Sequence, residues 1–339
     1  MTAMISTRTL GTGPAAVASG ALGLGLMGMS GMYGPAEESE SIETIRAAVE
    51  SGVNLLDTGD FYGMGHNEML LGRALKQLGL DRDAVRISVK FGAQRGPDGS
   101  WLGYDARPAA VKTALAYTLT RLGVDHIDVY RPARLDPRVP IEETVGAIGE
   151  LVQAGYVRQV GLSEVGAETI RRAHAAHPIT DLQIEYSLIS RGLEEAILPT
   201  TRELGIGITA YGVLSRGLIS GHWTPERSTH AADFRTHAPR FQGENLTRNL
   251  ELVEALRTVA EARGASVAQI AIAWVLAQGT DIVPLIGARR PDRLAEALGA
   301  LEVELTAEDL AQIEKAVPKG AASGERYATA QMSSLDSER

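Results

Sequence analysis

The sequence predicts a closed (β/α)8 TIM barrel, folded as a single domain over residues 1–339, with a hairpin ahead of the first barrel strand and a long loop after the seventh. Three observations carry this expectation. Eight short apolar runs, cut off by glycines and prolines, are spread along the chain: ALGLGLM, VNLLDT, VRISVKF, HIDVYRP, RQVGLSE, DLQIEYSL, GIGITAYGVL and DIVPLIGA. Longer amphipathic segments lie between them. Each run is too apolar to leave one face wet, which implies a parallel sheet covered by helices. Eight is the number at which such a sheet closes into a barrel. A doubly wound open sheet is the competitor, but no GxGxxG opens a helix after the first run. The glycines of GLGLMG are followed by no helical pattern until residue 39.

The elements follow in order. Arg8 precedes GTGPAAVASGALGLGLMGMSGMYG, and no charge appears until Glu37. A leader peptide or spanning helix would be leucine-rich and helical. A glycine every few residues favours a short hairpin and a buried strand. SESIETIRAAVESG then presents Ile42, Ile45 and Val49 on one face, with acids in its first turn, as a helix N-terminus favours. AAVKTALAYTLTRLG, IEETVGAIGELVQAG, GAETIRRAHAAH and LEEAILPTTRELG repeat that pattern, several ending in glycine. After the seventh run comes SGHWTPERSTHAADFRTHAPRFQGEN, without periodicity and long enough to be functional, with Trp223, Phe234 and Phe241 to pack it down. The eighth run leads to a helix that starts near Pro291. The polar tail AASGERYATAQMSSLDSER is expected to be partly disordered over about 333–339.

Composition narrows the function classes. With 44% hydrophobic and 22% charged residues, the chain is an ordinary globular protein. A net charge of −9 argues against a nucleic-acid partner. There are no cysteines, hence no disulfides, thiolate metal sites or cysteine nucleophile, and the expected location is cytoplasmic. No stretch offers the ~20 apolar residues of a spanning helix, so no membrane association is expected.

In a barrel of this kind the chemistry sits at the C-terminal strand ends. There the sequence places Asp57 and Tyr62 (LLDTGDFYG), Lys90 (VRISVKFG), Ser163 and Glu164, Gln183 and Glu185, and Tyr211. A lysine in such a strand is costly to bury alone, and Asp57 lies one strand earlier at the same level. A cation beside a tyrosine hydroxyl lowers its pKa. Asp57, Lys90 and Tyr62 therefore read as one unit that could deliver a proton through the tyrosine. The alternative is a structural ion pair with an unrelated loop tyrosine. No His or Asp cluster with metal-ligand spacing occupies the strand ends, so no metal is expected and a metal-dependent barrel hydrolase is disfavoured.

GLGLMGMSGMYGP, GVNLLDTGDFYGMGHNEMLLGRAL, ISVKFG, GYVRQVGLSEV, LQIEYSL, ITAYGVLSRGLISG and VPLIGARRPDRLAEAL follow one another over nearly the whole chain. In these stretches the sequence resembles the aldo-keto reductases. The resemblance implies a (β/α)8 barrel that transfers hydride between NADP(H) and a carbonyl or alcohol, with a small-molecule carbonyl compound as partner. It implies that Tyr62 is the general acid and that Lys90, paired with Asp57, tunes it. For the cofactor it implies Ser163 and Gln183 on the nicotinamide carboxamide, Tyr211 stacked on the ring, and Gly25, Leu26 and Met27 beside Asp57 at the ribose. Gly212, Leu214, Ser215, Arg216 and Gly217 would hold the pyrophosphate, with Gly287 on the last strand end and Glu296 at the adenine. Arg289 and Arg290, just before a helix N-terminus, and Arg293, one turn further, suit a 2′-phosphate and so NADP(H) over NAD(H).

The chain departs from that pattern at one catalytic position. Most members carry a histidine at the end of strand four, and Ala133 stands there. His66 is the one plausible stand-in; His126 lies at the start of its strand, His174 and His177 on a helix surface, and His222, His230 and His237 in the long loop. Arg131 and Arg134 flank Ala133, and strand alternation is expected to aim both elsewhere. Glu164 and Ala297 replace usual asparagines. The wording RPARLDP looks like a subset with pyridoxal reductase-like members that also lack the histidine, which makes pyridoxal a candidate substrate. The alternative is a non-catalytic, NADPH-binding sensor, since some members serve as channel-associated β subunits.

Overall fold

A computed structural model describes residues 5–227 and 233–339. Its strands are β1 (Thr7–Leu10), β2 (Val17–Gly20), β3 (Gly23–Gly25), β4 (Leu55–Gly59), β5 (Arg86–Phe91), β6 (Ala93–Arg95), β7 (Trp101–Tyr104), β8 (Ile127–Pro132), β9 (Val157–Ser163), β10 (Ile179–Glu185), β11 (Gly207–Tyr211) and β12 (Ile282–Ile286). Its helices are α1 (Glu38–Glu50), α2 (His66–Leu78), α3 (Pro108–Leu122), α4 (Ile141–Gln153), α5 (Ala167–Ala176), α6 (Ile197–Glu203), α7 (Gly243–Ala262), α8 (Val267–Ala277), α9 (Pro291–Leu298), α10 (Ala307–Ala316) and α11 (Thr329–Met332).

Strands β3, β4, β5, β8, β9, β10, β11 and β12 pair in parallel and close into a barrel. Each coincides with one of the eight apolar runs. Their outward side chains pack under the helices: Tyr130 of β8 stacks on Phe91 at 4.3 Å and donates its hydroxyl to Val111 O of α3. The inward side is partly polar. Arg131 Nη2 meets both Asp181 oxygens at 2.9 and 3.0 Å, and both residues are fully buried.

The antiparallel β1–β2 hairpin closes the N-terminal end of the barrel, as the glycine-rich start suggested. Leu10 packs with Leu55, Val283 and Leu285 inside the barrel floor. Arg8 ties the hairpin to α8 and the loop after it through Leu276 O at 2.9 Å and Gly279 O at 2.7 Å.

Three differences from the sequence reading have physical causes. LEEAILPTTRELG divides into a short 3-10 turn over Gly192–Glu194 and α6. Pro199, which has no N–H, is tolerated only in a first helical turn, so α6 starts two residues before it. A second hairpin, β6–β7, turns through GPDGS and was not anticipated. Residues 333–339, expected to be partly disordered, lie against the barrel mouth: Leu335 is buried, and Asp336 Oδ2 accepts the Gly166 N–H at 2.8 Å. In the long loop, Trp223 packs edge-on against Phe241 at 4.7 Å, and His230 falls outside the described residues. No single helix among the described residues is long and apolar enough to cross a membrane.

Candidate active site

The parallel register sets Asp57 of β4 beside Gly25 of β3 and Ser88 of β5, and Gly59 beside Lys90. Lys90 therefore reaches back across β4. Its Nζ donates to Asp57 Oδ1, and to Thr58 O at 3.1 Å. Asp57 Oδ2 accepts from Ser88 Oγ at 2.9 Å and from Gln183 Nε2 at 2.8 Å. The pair is almost sealed from solvent, with side chains 5% and 3% exposed. A buried ion pair of this kind holds only because the remaining polar valences are satisfied too.

Tyr62 follows on a single 3-10 turn, Tyr62–Gly65. Gly63, Met64 and Gly65 all take left-handed backbone, at φ 58, 54 and 92°, and this reverses the chain into α2. Met64 is no glycine, so the turn stores strain at the mouth. The Tyr62 ring sits 4.9 Å from Lys90 Nζ and is itself buried.

The electrostatics differ from the sequence expectation. Burial first, and the Asp57 charge second, push the Tyr62 hydroxyl well above its ordinary pKa. Burial in turn pulls Lys90 down, against Asp57. The result is a protonated phenol above a neutralised pair, the state a proton donor needs.

His66, His126 and His222 are engaged elsewhere than at Ala133. His66 Nδ1 shares a 3.0 Å hydrogen bond with Ser30 Oγ, and His126 pairs with Asp125 at 2.6 Å. His222 lies beside Glu296 at 2.9 Å. No group of three or more His, Cys, Asp or Glu among the described residues could hold a metal. Arg131 and Arg134 do not behave as alternation suggested. Arg131 shares the parity of Ala133 and turns into the barrel interior. Arg134 lies past the end of β8, where alternation no longer applies, and its Nη1 reaches Ala133 O at 2.6 Å and Ser163 Oγ at 3.5 Å.

The residues expected to hold a cofactor lie at the ends of β3, β4, β9, β10, β11 and β12 and around the start of α9. The turn after β11 is the most unusual of these places. Ser215, Arg216 and Gly217 are left-handed in succession (φ 45, 59 and 94°), and the buried Ser215 Oγ has no hydrogen-bond partner. Strained backbone with an orphaned hydroxyl fits an absent anionic group such as a pyrophosphate. Gly212 is left-handed at φ 65°, and Leu214 O accepts the Gly217 N–H at 2.8 Å, which closes the turn. Gly287 at the end of β12 is open on its Cβ side. Arg289, Arg290 and Arg293 gather at the N-terminus of α9. Arg289 donates to Tyr33 O at 3.2 Å, Arg290 pairs with Asp292 at 2.6 Å, and Arg293 pairs with Glu296 at 3.0 Å. Gly25 and Met27 are half-buried at the β3 end. Leu26 has its side chain fully buried in the hydrophobic core, and its N–H donates to Asp57 O at 2.9 Å. Gln183 is committed to Asp57 through its Nε2, and Arg216 to Glu185 at 3.0 Å.

Sequence reasoning missed the wall of the mouth that the C-terminal segment builds. Tyr211 donates its hydroxyl to Glu164 Oε1 at 2.7 Å and shares a 2.8 Å hydrogen bond with Tyr327. Arg326 clamps Glu164 at 2.6 and 3.0 Å and Glu185 at 3.3 Å, and Ser337 Oγ meets Glu164 at 2.6 Å. Burial works against the Glu164 charge, but Arg326 outweighs it and holds the carboxyl far below its usual range. Glu164 is left-handed at φ 53°, a conformation that asparagine adopts more readily than glutamate. The one signal in the sequence was the pair Arg326–Tyr327 inside an otherwise small and polar tail.

A family model described as "Aldo/keto reductase family" matches residues 21–318. The chain belongs to this family. "Probable aldo-keto reductase 1" of Glycine max is 45% identical over 309 residues, 90% of this chain and 88% of that protein. The solved glycerol dehydrogenase of Gluconobacter oxydans superposes with a TM-score of 0.82 at 28% identity, over 91% of this chain and 94% of its own. A thermostable aldo-keto reductase solved with the inhibitor epalrestat gives 0.72 at 26% identity, over 92% and 100%. The aldo/keto reductase barrel and its mouth are thus the frame in which Asp57, Tyr62 and Lys90 stand.

Proposed function

We propose that this aldo/keto reductase reduces an aldehyde or ketone to an alcohol with NADPH, and that Tyr62 donates the proton. The observation that carries the reading is the buried Lys90–Asp57 pair beneath the Tyr62 ring at the barrel mouth. When bound, NADPH supplies the hydride that goes to the carbonyl carbon. Tyr62 gives its proton to the carbonyl oxygen, so the C=O becomes an alcohol and the phenol a phenolate. Lys90 stabilises that phenolate from its position beside the ring. Asp57 keeps Lys90 fixed and charged. Water at the mouth then restores the phenol. Ser163 and Tyr211 flank the nicotinamide position in this reading. The cluster of Arg289, Arg290 and Arg293 at the start of α9 supports a 2′-phosphate and so NADP(H).

Pyridoxal belongs in the first substrate panel, with simple aldehydes beside it. The test is NADPH oxidation by the purified protein, followed by loss of the reduced nicotinamide absorbance. Tyr62→Phe should abolish turnover and leave NADPH affinity nearly intact. Loss of both together would make Tyr62 a structural residue. Tight NADPH binding with no turnover on any carbonyl compound would point to a sensor.

A further inference from the structure

Among the described residues five arginines besides Arg134 reach the mouth or the barrel interior below it, and each has a carboxylate within 4.0 Å; Arg240 is the most distant, 3.9 Å from Glu185. Arg131 meets Asp181 at 2.9 Å, Arg216 meets Glu185 at 3.0 Å, Arg326 meets Glu164 at 2.6 Å and Arg235 meets Asp233 at 2.5 Å. Arg134 is the exception. Among the described residues no carboxylate oxygen lies within 4.0 Å of it. It bonds through Nη1 alone, to the Ala133 carbonyl and at long range to Ser163 Oγ. A guanidinium carries five donors in a fixed fork. Most of that fork is uncommitted. Its surroundings are phenols, since Tyr211, Tyr327 and Tyr104 all act on its charge, and it acts in turn on Tyr62. Glu164 is near, but Arg326 already neutralises it.

The neighbour of Arg134 matters as much. Ala133 presents only a methyl group, and its N–H is taken by Phe91 O at 2.8 Å. Nothing at that position donates to a carbonyl oxygen. A half-buried cation with free donors, beside a proton-donating phenol and a small residue, suits an anion more than a neutral carbonyl.

We infer that Arg134 anchors an anionic group of the substrate, and that the preferred substrates are carbonyl compounds with a carboxylate next to the carbonyl, the 2-oxo acids. This rests on the reductase reading above. The carboxylate lies on the Arg134 fork, which leaves the adjacent carbonyl oxygen within reach of Tyr62. Hydride from NADPH adds to the carbonyl carbon and the Tyr62 proton to its oxygen, so the products are a 2-hydroxy acid and NADP+. Arg134 is a specificity residue here; it moves no proton.

The experiment compares phenylglyoxylate with its methyl ester, which keeps the carbonyl and removes the charge. Wild type should favour the acid in kcat/KM. Arg134→Met should collapse the acid-to-ester ratio roughly 10- to 100-fold, mainly through KM, as expected for one charge-assisted bidentate contact. Arg134→Lys should recover part of it, since charge returns without the fork. Calorimetric titration of phenylglyoxylate into the enzyme saturated with NADP+ gives a readout independent of turnover, and Arg134→Met should weaken that binding by a similar factor. A wild type that does not favour the acid, or a ratio and a titration unchanged in Arg134→Met, overturns the inference. If neither compound is reduced, the reductase reading fails, and the titration alone still decides whether Arg134 binds the carboxylate.

Discussion

Replacing Arg326 by methionine tests how the mouth is held together. The substitution keeps much of the side-chain volume and removes the charge. Arg326 donates to Glu164 at 2.6 and 3.0 Å, to Glu185 at 3.3 Å, to Glu338 at 2.9 Å and to Ser337 at 3.2 Å. Without it Glu185 keeps a cation, Arg216 at 3.0 Å, and the Ser190 hydroxyl at 2.9 Å. Glu164 keeps only neutral donors, Tyr211 at 2.7 Å, Ser337 at 2.6 Å and the Glu185 N–H at 2.9 Å. The cost therefore falls on Glu164. Removing one partner of a buried pair costs roughly 3–5 kcal/mol. The remaining donors, and water admitted as the tail loosens, place this case near the lower end, about 3 kcal/mol. Urea unfolding at neutral pH, followed by far-UV circular dichroism, measures it. Glu164→Gln in the Arg326→Met background removes the stranded charge, and the double-mutant cycle should show coupling of about 2 kcal/mol. Glu164 and Glu185 both have folded pKa values below the usual range. Their contribution is thus complete above an unfolded glutamate pKa of about 4.3 and is lost as pH falls through the depressed folded values. Wild type should lose stability more steeply below that pH than Arg326→Met does. A loss under about 1 kcal/mol together with no coupling would refute the reasoning, because a stranded buried carboxylate cannot be that cheap.

Three further substitutions probe other parts of the molecule. Burial, with the Glu68 charge second, pushes the Asp60 carboxyl up to about 7, so the native state holds a proton there that the unfolded chain releases near an unfolded pKa of about 3.9. Stability must then fall as pH rises between those values, and Asp60→Asn should flatten that slope and be the more stable protein at pH ~8; identical pH profiles of urea midpoint in the two proteins would contradict this. Ser215→Ala removes a buried hydroxyl that has no partner in the protein, so the free enzyme should not lose stability, whereas NADPH affinity, read from fluorescence titration, should drop about five-fold, the worth of one hydrogen bond near 1 kcal/mol. A Cβ at Gly161 would come within 2.7 Å of Asp181 Oδ1 and 2.8 Å of Arg131 Nε, so Gly161→Ala should cost about 1–3 kcal/mol by overpacking the barrel interior, measured by thermal unfolding.

The barrel was legible because its signal is local. Every strand is a short apolar run between turn residues, and the period of those runs does not depend on distant contacts. Asp57 and Lys90 could be paired from the sequence because they lie on adjacent parallel strands, but they are not level as expected: Asp57 faces Ser88 and Lys90 faces Gly59, and the long lysine side chain spans the offset. Arg134 was misjudged because alternation holds only while a strand lasts, and β8 ends at Pro132. Arg131, two residues from Ala133, had the parity to face inward, and does. The Tyr62 environment could not be read from neighbouring charges alone, since burial is a property of the packed mouth and outweighs them. Helix α8 was hidden by its composition: VAQIAIAWVLA is apolar nearly all round, so no amphipathic period marks it. The tail was hidden by distance, since the partners that order it lie far back in the chain.

That distance bears on how the molecule assembles. Glu164 and Arg326 are separated by 162 residues. Contacts of such range form slowly, because the intervening chain must lose its freedom before the contact rewards it. Most barrel strands pair with neighbours nearer in sequence than that, but closure itself needs β12 against β3, Leu285 beside Gly23, which spans more. A barrel that has closed but not yet received Arg326 would carry Glu164 in strained backbone beside Glu185, two carboxylates turned toward each other at the mouth. Refolding should therefore show two phases, an early one in backbone signal as sequence-near strands pair and a later one as β12 meets β3 and the mouth is finished, with ligand binding recovered only in the second.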